Sequence, residues 1–509
     1  MGYESMLEEQ SKVMLVQKYE KLKARDGSAL VYTNQDIRTS ILQLENNGLT
    51  ALAVSMFNSL LGFTGAKLMQ YPAMLALEVL QKGLETAELR DEIYAQCIKQ
   101  TFGSEGDISA RTWQMINLCA RTFPPSEQFL PYVRTHVYLC KMGQLDGATK
   151  YDSALAETTL AKLRKIQGAP AAAPPSLETI QAVRDSEPLT CTIYFLDNSM
   201  KRYPITEETT VKALLETIAR DLKYSQMDSC AIFDVKDFEY PVHVRENLVV
   251  YDVMNQWQEM LMSGFKGKMG IKKVSSHKLV LRKRLYLSEP AEKISCPIDL
   301  HLLFSQARQD VAFGRFSITE VEALLLASLT LQIEYGDYDA KKHQGGFLRD
   351  ILQEYIPANV YRLHKPKIWE RDLLKTYEKM NGFTEAFAKK NYLRVVEKSH
   401  TYGYTMFPVK QTHMKTEPAK VFLGINSNGI KLFRTDTKEP IADTGDAMSF
   451  ANLQSWSCVP GSTCSISTGP TKMVYQTELG EDICSLLKSY ALTIVARKQA
   501  RAKKKAAKR

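Results

Sequence analysis

The first third of the chain places apolar and polar residues with the period of an α-helix. Between Glu85 and Phe102, apolar side chains recur every three or four positions, and charged or amide side chains fill the positions between them. The same spacing recurs in shorter stretches at residues 49–61, 110–120 and 131–140. Phe123-Pro124-Pro125 ends one of these stretches because proline disfavours helical geometry in the residue before it. We predict an all-α helical bundle over residues 10–165.

A change of composition separates this region from the rest of the chain. Residues 168–176 consist of Gly, Ala, Pro and Ser, so they offer neither charge nor a large apolar side chain for a core. Proline-rich and alanine-rich segments of this kind form semi-rigid spacers. We therefore predict a linker over residues 166–187.

The next region has the pattern of a small α+β lobe. Residues typical of strands occupy positions 189–196, 201–205, 230–235 and 278–287. The turn sequence Asp197-Asn198-Ser199 joins the first two as a hairpin. A helical stripe begins at Val211, behind Thr209 and Thr210 as candidate caps. The order predicts a ubiquitin-like lobe over residues 188–290.

Helical spacing returns over residues 291–399. Thr319 and Glu322 have the spacing of a capping box ahead of the apolar run Val321–Leu331. Later helices are expected at residues 365–380 and 381–397. This region is predicted to form a second, helical lobe.

From His400 onward, short strand patterns dominate. The turn Asn426-Ser427-Asn428-Gly429 predicts a hairpin between two of them, and a further strand is expected near Ser455–Thr468. A last helix over residues 481–495 has an inner face at Ile483, Leu486, Leu487, Tyr490 and Ile494. These elements predict a β-sandwich with a capping helix over residues 400–498. The fold class is multidomain α+β.

Charge adds a separate feature at the end of the chain. The sequence has 66 Lys and Arg against 57 Asp and Glu, a formal net charge of +9. Eight of the basic residues, and no acidic residue, lie in Arg497–Arg509. We expect a solvent-exposed basic helical extension at residues 499–509, whose removal leaves the fold intact. The extension lacks the aromatic side chains on which bases of single-stranded nucleic acid stack, so we predict no nucleic-acid partner.

No pattern of catalytic residues is found. The nine Cys are scattered from Cys97 to Cys484 without a CxxC pair, which argues against a disulfide framework or a zinc site. HExxH, GxSxG, HCx5R and GxxxxGK[ST] sequences do not occur. We predict a protein that is not an enzyme and has no cofactor. The first twenty residues lack a signal-peptide core, and the most apolar window, residues 323–333, is too short to span a bilayer, so a cytoplasmic location is expected.

Two sets of residues resemble a known family. Glu88-Leu89-Arg90-Asp91-Glu92-Ile93-Tyr94, continued by Gln96 and Ile98-Lys99-Gln100, resembles the signature of the myosin tail homology 4 (MyTH4) domain, and Trp113-Gln114 and Phe123-Pro124-Pro125-Ser126 fit the same family. The later lobes resemble a FERM domain, whose third lobe begins like Thr401-Tyr402-Gly403-Tyr404, followed by residues 421–425 and Gly429-Ile430. The tandem is found in tails of myosins VII, X and XV and in a plant-type kinesin.

The resemblance implies a fold and a function. It implies a FERM domain with a ubiquitin-like lobe, a helical lobe like an acyl-CoA-binding protein and a PH/PTB-like β-sandwich. It implies the non-catalytic, cargo-binding tail of a myosin VII-like actin motor, located at the actin cytoskeleton and cell protrusions. Expected partners are cargo peptides and the protein's own motor domain in an autoinhibited state. The alternative is a membrane-to-actin linker of the ezrin or talin class that binds phosphoinositides, but those linkers lack the Leu89–Gln100 signature.

The resemblance also points to a partner groove in the third lobe. Ser457, Val459, Ile483 and Leu487 would border a groove that binds a partner peptide as an added strand or as a helix. Alternatively, Ile483 and Leu487 face the core of the sandwich.

Two basic surfaces are further candidates. The first is a microtubule candidate in the bundle, formed by Lys12, Lys18, Lys21, Lys23 and Arg25. Glu20 and Asp26 interrupt that run, so a solvated helix face is the alternative. The second is a candidate for anionic phospholipid or the motor head, formed by Lys266, Lys268, Lys272, Lys273, Lys278, Arg282, Lys283 and Arg284, with Lys472 as the basic residue of a short head-binding motif. Alternation along a strand would separate Lys283 from Arg282 and Arg284.

Overall fold

The computed structural model describes residues 30–145, 148–166, 169–171, 173–236, 241–265, 277–287, 290–411, 417–441, 448–469 and 471–506, with residues 258–265 and 500–506 described by their backbone alone. The chain forms two compact units. The bundle unit comprises Met1–Cys191, Pro204–Thr209 and Leu248–Ser275. The lobe unit comprises Thr192–Tyr203, Thr210–Asn247 and Ser276–Arg509.

The bundle unit is helical, as predicted. Its helices are α1 (Asn47–Thr64), α2 (Pro72–Glu85), α3 (Arg90–Thr101), α4 (Gly106–Thr122), α5 (Leu130–Lys141), α6 (Lys150–Lys165) and α7 (Leu177–Arg184). Local sequence determines their ends. The side chain of Asn46 accepts a hydrogen bond from the Leu49 N–H at the start of α1, and Gly65 ends that helix at a φ of 82°. Thr149 and Asp152 form a capping box for α6.

The segment predicted from the helical spacing of residues 85–102 is helical with one interruption. Helix α2 ends at Glu85, a short 3-10 turn occupies Ala87–Leu89, and α3 continues to Thr101. Leu89, Ile93 and Ile98 are buried, so the predicted apolar stripe faces the core. Helix α4 ends one residue before Phe123, where the prolines predict it.

The predicted linker is packed against the bundle. Residues 177–184 form α7, whose Ile180 is completely buried in the bundle core. Pro174 and Pro175 are buried as well, and the Ala171 N–H donates to the Thr122 carbonyl at 2.7 Å. The prediction of a spacer over residues 166–187 is therefore wrong for residues 171, 174–175 and 177–184. Although this region is rich in Ala and Pro, it contains Ile180, whose side chain is buried against the bundle.

The ubiquitin-like lobe contributes residues to both units. Its strands are β1 (Thr190–Tyr194), β2 (Met200–Pro204), β3 (Cys230–Lys236), β4 (Val242–His243) and β5 (His277–Lys283), and its helices are α8 (Val211–Leu222) and α9 (Val250–Phe265). The strand order is β2-β1-β5-β3-β4, with β1 and β5 parallel. Asn198 takes a φ of 66° in the turn between β1 and β2, and Thr210 caps α8.

The second lobe of the lobe unit is helical. Its helices are α10 (Pro297–Ala312), α11 (Glu320–Tyr335), α12 (Leu352–Tyr355), α13 (Ala358–Tyr361), α14 (Pro366–Glu378) and α15 (Glu385–Val396). The predicted capping box of Thr319 and Glu322 is present at the start of α11.

The third lobe is an antiparallel sheet closed by a helix. Its strands are β6 (Thr405–Gln411), β7 (Lys420–Asn426), β8 (Gly429–Arg434), β9 (Leu453–Val459), β10 (Thr463–Thr468) and β11 (Thr471–Gln476), in the order β8-β7-β6-β11-β10-β9. The hairpin predicted at Asn428-Gly429 is confirmed by the pairing of Asn426 with Gly429. The single strand expected at Ser455–Thr468 is wrong, because Gly461 takes a φ of 66° and turns the chain into the β9–β10 hairpin.

Helix α16 (Gly480–Ala506) closes this lobe and continues beyond it. Its buried side chains Ile483, Leu486, Leu487 and Tyr490 complete a core with residues of the sheet. The helix has no Gly or Pro after Gly480 to end it, which agrees with the predicted basic extension. Within the described residues, no helix is both long enough and apolar enough to cross a bilayer.

Candidate partner-binding groove

Strand β9 lies at one end of the third-lobe sheet. It pairs with β10 through a register that runs from Val459 opposite Thr463 to Ser455 opposite Ser467. In the part of the chain that the structure describes, no strand lies on the other side of β9. An edge strand presents backbone N–H and C=O groups to solvent, so β9 can accept an added strand from a partner.

The side chains of β9 alternate between the lobe and solvent. Ser455, Ser457 and Val459 are exposed, whereas Trp456 and Cys458 are half-buried. This follows from the two-residue period of a strand. Val459 stands out because 60% of its surface is exposed although it is apolar. The structure therefore places Ser457 and Val459 on an open edge, as the groove prediction requires.

The helical side of the predicted groove needs a correction. Ile483 and Leu487 are completely buried in the third-lobe core, so they face the sheet and are not available to a partner. The core-facing alternative is the one that the structure shows. The physical reason is that α16 packs on the sheet, so its most apolar stripe faces the core.

A neighbouring stripe of α16 takes the place of those residues. Cys484, Lys488, Ala491 and Val495 are spaced by four, three and four residues, so they share one side of the helix. Helix α16 starts at Gly480, where an added Cβ would lie 3.0 Å from the Cβ of Cys458 of β9, so the first turn of the helix lies beside the edge strand. Lys488 and Val495 are exposed. The exposed residues of β9 and this stripe of α16 are therefore the two sides of the candidate groove.

Ionic contacts hold the start of α16. Arg245 pairs with Glu481, and Arg284 donates to the hydroxyls of Ser485 at 2.9 Å and Ser489 at 3.0 Å. Burial raises the pKa of Asp482, against the opposing effect of Arg284 and Arg245. Acidic residues in the first turn also suit the positive end of the helix dipole. These contacts hold the start of α16 in position.

The basic surface proposed for phospholipid or the motor head is largely internal. Arg282 donates to Gln309 at 2.7 Å and is paired with Asp310, while Lys283 is paired with Asp299. Arg282, Lys283 and Arg284 are all buried and line a cavity of about 270 Å³. Including Arg282 and Arg284 in a surface was therefore wrong, because strand β5 lies inside the lobe unit and its cations balance internal acids.

The remaining predicted cations have different positions. Lys278 and Lys472 are exposed, and the ammonium of Lys278 lies 5.0 Å from the centroid of the Tyr194 ring. The bundle residues Lys12, Lys18, Lys21, Lys23 and Arg25 lie outside the described residues, and so do Lys266, Lys268, Lys272 and Lys273. Among the described residues, no group of three or more His, Cys, Asp or Glu side chains could hold a metal ion.

Sequence reasoning missed a cluster of cysteines at the groove. Cys458 and Cys464 are opposite each other in the β9–β10 hairpin, and Cys484 packs against the third-lobe core that includes Cys464. The available signal was their symmetric placement about the turn at residues 460–462. That symmetry was hidden because the two strands had been predicted as one.

Three family models match successive parts of the chain. A MyTH4 domain matches residues 76–182, an RA like domain matches residues 187–285, and a FERM central domain matches residues 289–407. The kinesin-like protein KIN-14I of Oryza sativa subsp. japonica is 26% identical over 500 residues, and unconventional myosin-VIIb of Mus musculus is 24% identical over 482 residues. These alignments cover 93% and 91% of this chain but 39% and 22% of the relatives, so the chain spans less than two fifths of their length.

Two solved structures share the fold over nearly the whole chain. The Dictyostelium discoideum myosin VII MyTH4-FERM MF1 domain has a TM-score of 0.67 at 20% identity and covers 97% of this chain and 99% of its own. The human myosin 7b C-terminal MyTH4-FERM domain, solved in complex with the harmonin-a PDZ3 domain, has a TM-score of 0.58 at 21% identity and covers 96% of both chains. The three family models follow the order of the bundle and the first two lobes, and the chain has the fold of these MyTH4-FERM structures.

Proposed function

We propose that this chain is the non-catalytic, partner-binding tail region of a myosin VII-like actin motor, and that partner peptides bind between β9 and α16. The observation that carries the proposal is the open edge of β9 beside the first turn of α16, where an added Cβ at Gly480 would lie 3.0 Å from the Cβ of Cys458. The tandem covers about a fifth of mouse myosin-VIIb, as expected if the motor lies elsewhere in a longer protein. The human myosin 7b tandem, solved with a PDZ domain, supports a protein as the partner class.

The groove suggests how a peptide is bound. An extended peptide would extend the sheet through backbone hydrogen bonds to β9, and its alternate side chains would face α16. Val459 offers an apolar contact on the strand side, and Lys488 offers a positive charge on the helix side. We expect the preferred peptides to combine an apolar residue with an acidic one.

An autoinhibitory contact with the motor head is a further part of the proposal. Lys472 on β11 and Lys278 on β5 are the exposed members of the predicted basic surface within the described residues. Because their ammonium groups are exposed, Lys278 and Lys472 could contact the motor head or an anionic phospholipid, whereas Arg282 and Arg284 are buried. Competition between cargo and motor head would then be reciprocal, since binding of either one would lower the affinity for the other by the same factor.

The groove can be tested with a matched pair of substitutions. Peptides selected from a random displayed library against the wild-type chain serve as the probe, and isothermal titration calorimetry measures their affinity. Val459→Asp places a carboxylate on the open edge, where it would be desolvated by the peptide, and we expect affinity to fall about tenfold, or about 1.4 kcal/mol. Val474→Asp is the control, because Val474 is also partly exposed, at 40%, but lies on β11 between two strands.

The two variants separate the possible results clearly. Loss of binding in Val459→Asp alone supports the groove. Equal affinities in both variants and the wild type would show that peptides bind elsewhere. Circular dichroism spectra of both variants check that the third lobe is folded.

A further inference from the structure

The lobe unit contains a cavity that the candidate groove does not include. Its volume is about 270 Å³, close to the lower end of the range for pockets that hold small molecules, about 300–1,000 Å³. Its described lining residues come from all three lobes of this unit, and none of them belongs to β9. The aromatic ones include Phe233, Tyr286, Phe316, Tyr404, Phe407 and Phe422. The wall therefore offers apolar ring surfaces from several elements.

A buried guanidinium lines this cavity without a carboxylate partner. Arg282 and Lys283 have carboxylate partners within the lobe unit. Arg284, which is 8% exposed, instead donates to the hydroxyls of Ser485 and Ser489, and its guanidinium forms no ion pair with a described residue. The two hydroxyls are neutral and occupy two of the five N–H donors of a guanidinium. The charge of Arg284 and its other donors are therefore available to an anion in the cavity.

His243 of β4 adds a second polar group without a partner. Its ring packs on Phe233 with 5.7 Å between the ring centroids. Nδ1 and Nε2 are both shielded from solvent, and neither has a hydrogen-bond partner in the described part of the chain. Burial, followed by repulsion from Arg284 and Arg245, lowers the pKa of His243 to about 3, so the ring is neutral near pH 7 and has one N–H donor. Buried polar groups normally have partners, and a ligand in the cavity would supply one here.

Lys438 places another cation at the aromatic wall. It takes a φ of 62°, a left-handed backbone conformation that is strained for a lysine. Its ammonium lies 4.3 Å from the centroid of the Phe422 ring and donates to the Thr435 carbonyl at 2.6 Å. Both Lys438 and Phe422 line the cavity. The turn after β8 therefore holds a positive charge beside an apolar ring surface.

Two acidic side chains in the wall limit the charge of a ligand. Asp310 is already paired with Arg282 and Arg315. Burial raises the pKa of Asp482, so this carboxyl group holds its negative charge less readily than an exposed one. A ligand with one negative charge suits this wall better than a phosphate with two, which would face both carboxyl groups.

We propose that this cavity binds a small aromatic carboxylate. The carboxylate accepts hydrogen bonds from the free N–H donors of Arg284 and from the ring N–H of His243, as suits a charge-assisted contact in a buried site. The aromatic body of the ligand packs against the aromatic wall, and Lys438 attracts the negative charge. The site does not rest on the proposed function, because peptide binding is assigned to β9 and the outer stripe of α16.

Calorimetry with three compounds tests the ligand class on the intact chain. Naphthoate is the probe, and naphthylmethanol is its neutral counterpart with the same ring system. We expect naphthoate to bind once per chain and naphthylmethanol to bind about tenfold more weakly or less, because hydrogen bonds to charged groups are the stronger ones. Inositol hexakisphosphate represents the multiply charged phosphates. No binding of naphthoate, equal affinity for the neutral alcohol, or stronger binding of the phosphate would each overturn the proposal.

Methyl NMR spectra locate the bound compound. Met406 lines the cavity, whereas Met142 is 51% exposed in the bundle unit. With methyl-labelled methionine, naphthoate should shift the Met406 signal, which Met406→Leu identifies by its loss, and should leave the Met142 signal unchanged. An unmoved Met406 signal at saturating naphthoate would place the compound elsewhere and overturn the site.

Substitutions test the three polar groups separately. Arg284→Gln should weaken naphthoate about tenfold, and His243→Phe about fivefold, by removing their hydrogen bonds. His243→Phe keeps the ring packing and removes two unpaired nitrogens, so its free energy of unfolding should not fall. Lys438→Gly should lower the affinity about threefold without loss of stability, because glycine adopts a φ of 62° without strain.

A lysine outside the cavity provides the control. Lys431 is exposed on β8 and is not among the described lining residues, so Lys431→Gln should bind naphthoate like the wild type. Urea unfolding checks that every variant is folded. Wild-type affinity in both His243→Phe and Lys438→Gly, which are expected to fold normally, would overturn the proposal, and so would an equal loss of affinity in Lys431→Gln.

Discussion

Glu92 shows what the residues of the MyTH4 signature do. Its carboxylate is completely buried in the bundle and accepts hydrogen bonds from the N–H groups of Ile41, at 2.8 Å, and Leu42, at 2.7 Å. The amide of Gln96 donates to the same carboxylate at 2.9 Å. Four residues further along α3, Gln100 is bonded to both backbone groups of Thr33. The signature therefore anchors the segment before α1 to the bundle.

Replacing Glu92 with Gln tests this anchor. The amide group keeps the size of the carboxylate but turns a donor towards one of the two backbone N–H groups, which leaves that group without an acceptor. Since hydrogen bonds to charged groups contribute about 1.5–3 kcal/mol each, we expect a loss of about 3 kcal/mol of unfolding free energy. Urea unfolding measures it, with the exposed Glu88→Gln as the control. An unchanged midpoint for Glu92→Gln would refute the anchoring role.

His136 gives the bundle a defined response to acid. Its ring stacks on Trp113 with 5.5 Å between ring centroids, and its Nε2 lies 2.9 Å from the Thr101 hydroxyl. Burial lowers the pKa of His136 to about 3. The unfolded chain therefore binds the proton first, and the contribution of His136 is full above about pH 6.5 and is lost as the pH falls towards 3.

The acid response predicts a measurable difference between two pH values. Lowering the pH from 8 to 5 should reduce the unfolding free energy by about 2 kcal/mol through this residue, since one pKa unit corresponds to about 1.36 kcal/mol. In His136→Gln that part of the pH dependence should disappear. Urea unfolding at both pH values measures it, and the exposed His400→Gln should behave like the wild type. The same pH dependence in wild type and His136→Gln would contradict the assignment.

Local signals predicted the elements, and contacts between elements decided the rest. The caps at Thr210 and Thr319 and the turn at Asn428-Gly429 act within a few residues, so the sequence alone locates them. The exposure of the predicted groove residues on α16 depends on which face of the helix packs on the sheet. From sequence alone, the apolar stripe at Ile483 and Leu487 could face a partner or the core, and the structure shows that it faces the core. Ser457 and Val459, which the family resemblance predicts at the groove, are exposed on β9 because side chains alternate along a strand.

Helix α7 behaves as part of the bundle even though its flanking sequence has the composition of a linker. Ile180 is completely buried in the bundle core, while Leu177 of the same helix is 37% exposed. Ile180→Ala should cost about 2–4 kcal/mol of unfolding free energy, as expected for a buried Ile truncated to Ala. Leu177→Ala, the control on the same helix, should cost less than about 1 kcal/mol. Equal small effects would restore the linker interpretation, and thermal unfolding of both variants decides between them.

Parts of the ubiquitin-like lobe belong to the bundle unit, and one ionic cluster joins them to the helices. The carboxylate of Glu207 pairs with Arg121 of α4 and, at 2.9 Å, with Lys162 of α6. Arg121 also donates to the Tyr251 hydroxyl at 2.7 Å. Burial, followed by repulsion from Arg121, lowers the pKa of Lys162. Glu207 is therefore the acid that compensates two neighbouring cations.

Replacing Glu207 with Gln should weaken the whole bundle unit. The substitution leaves the side chains of Arg121 and Lys162, which are 11% and 15% exposed, facing each other without a carboxylate. Breaking a buried ion pair by removing one partner costs about 3–5 kcal/mol, and because Glu207 is itself 35% exposed, we expect a loss of about 2 kcal/mol. Glu208→Gln makes the same change of charge at the next, exposed residue and should cost almost nothing. Hydrogen exchange measures the effect, and amide groups around Tyr251 should exchange faster in Glu207→Gln alone. Similar exchange in both variants would mean that Glu207 does not hold the segments Pro204–Thr209 and Leu248–Ser275 on the bundle helices.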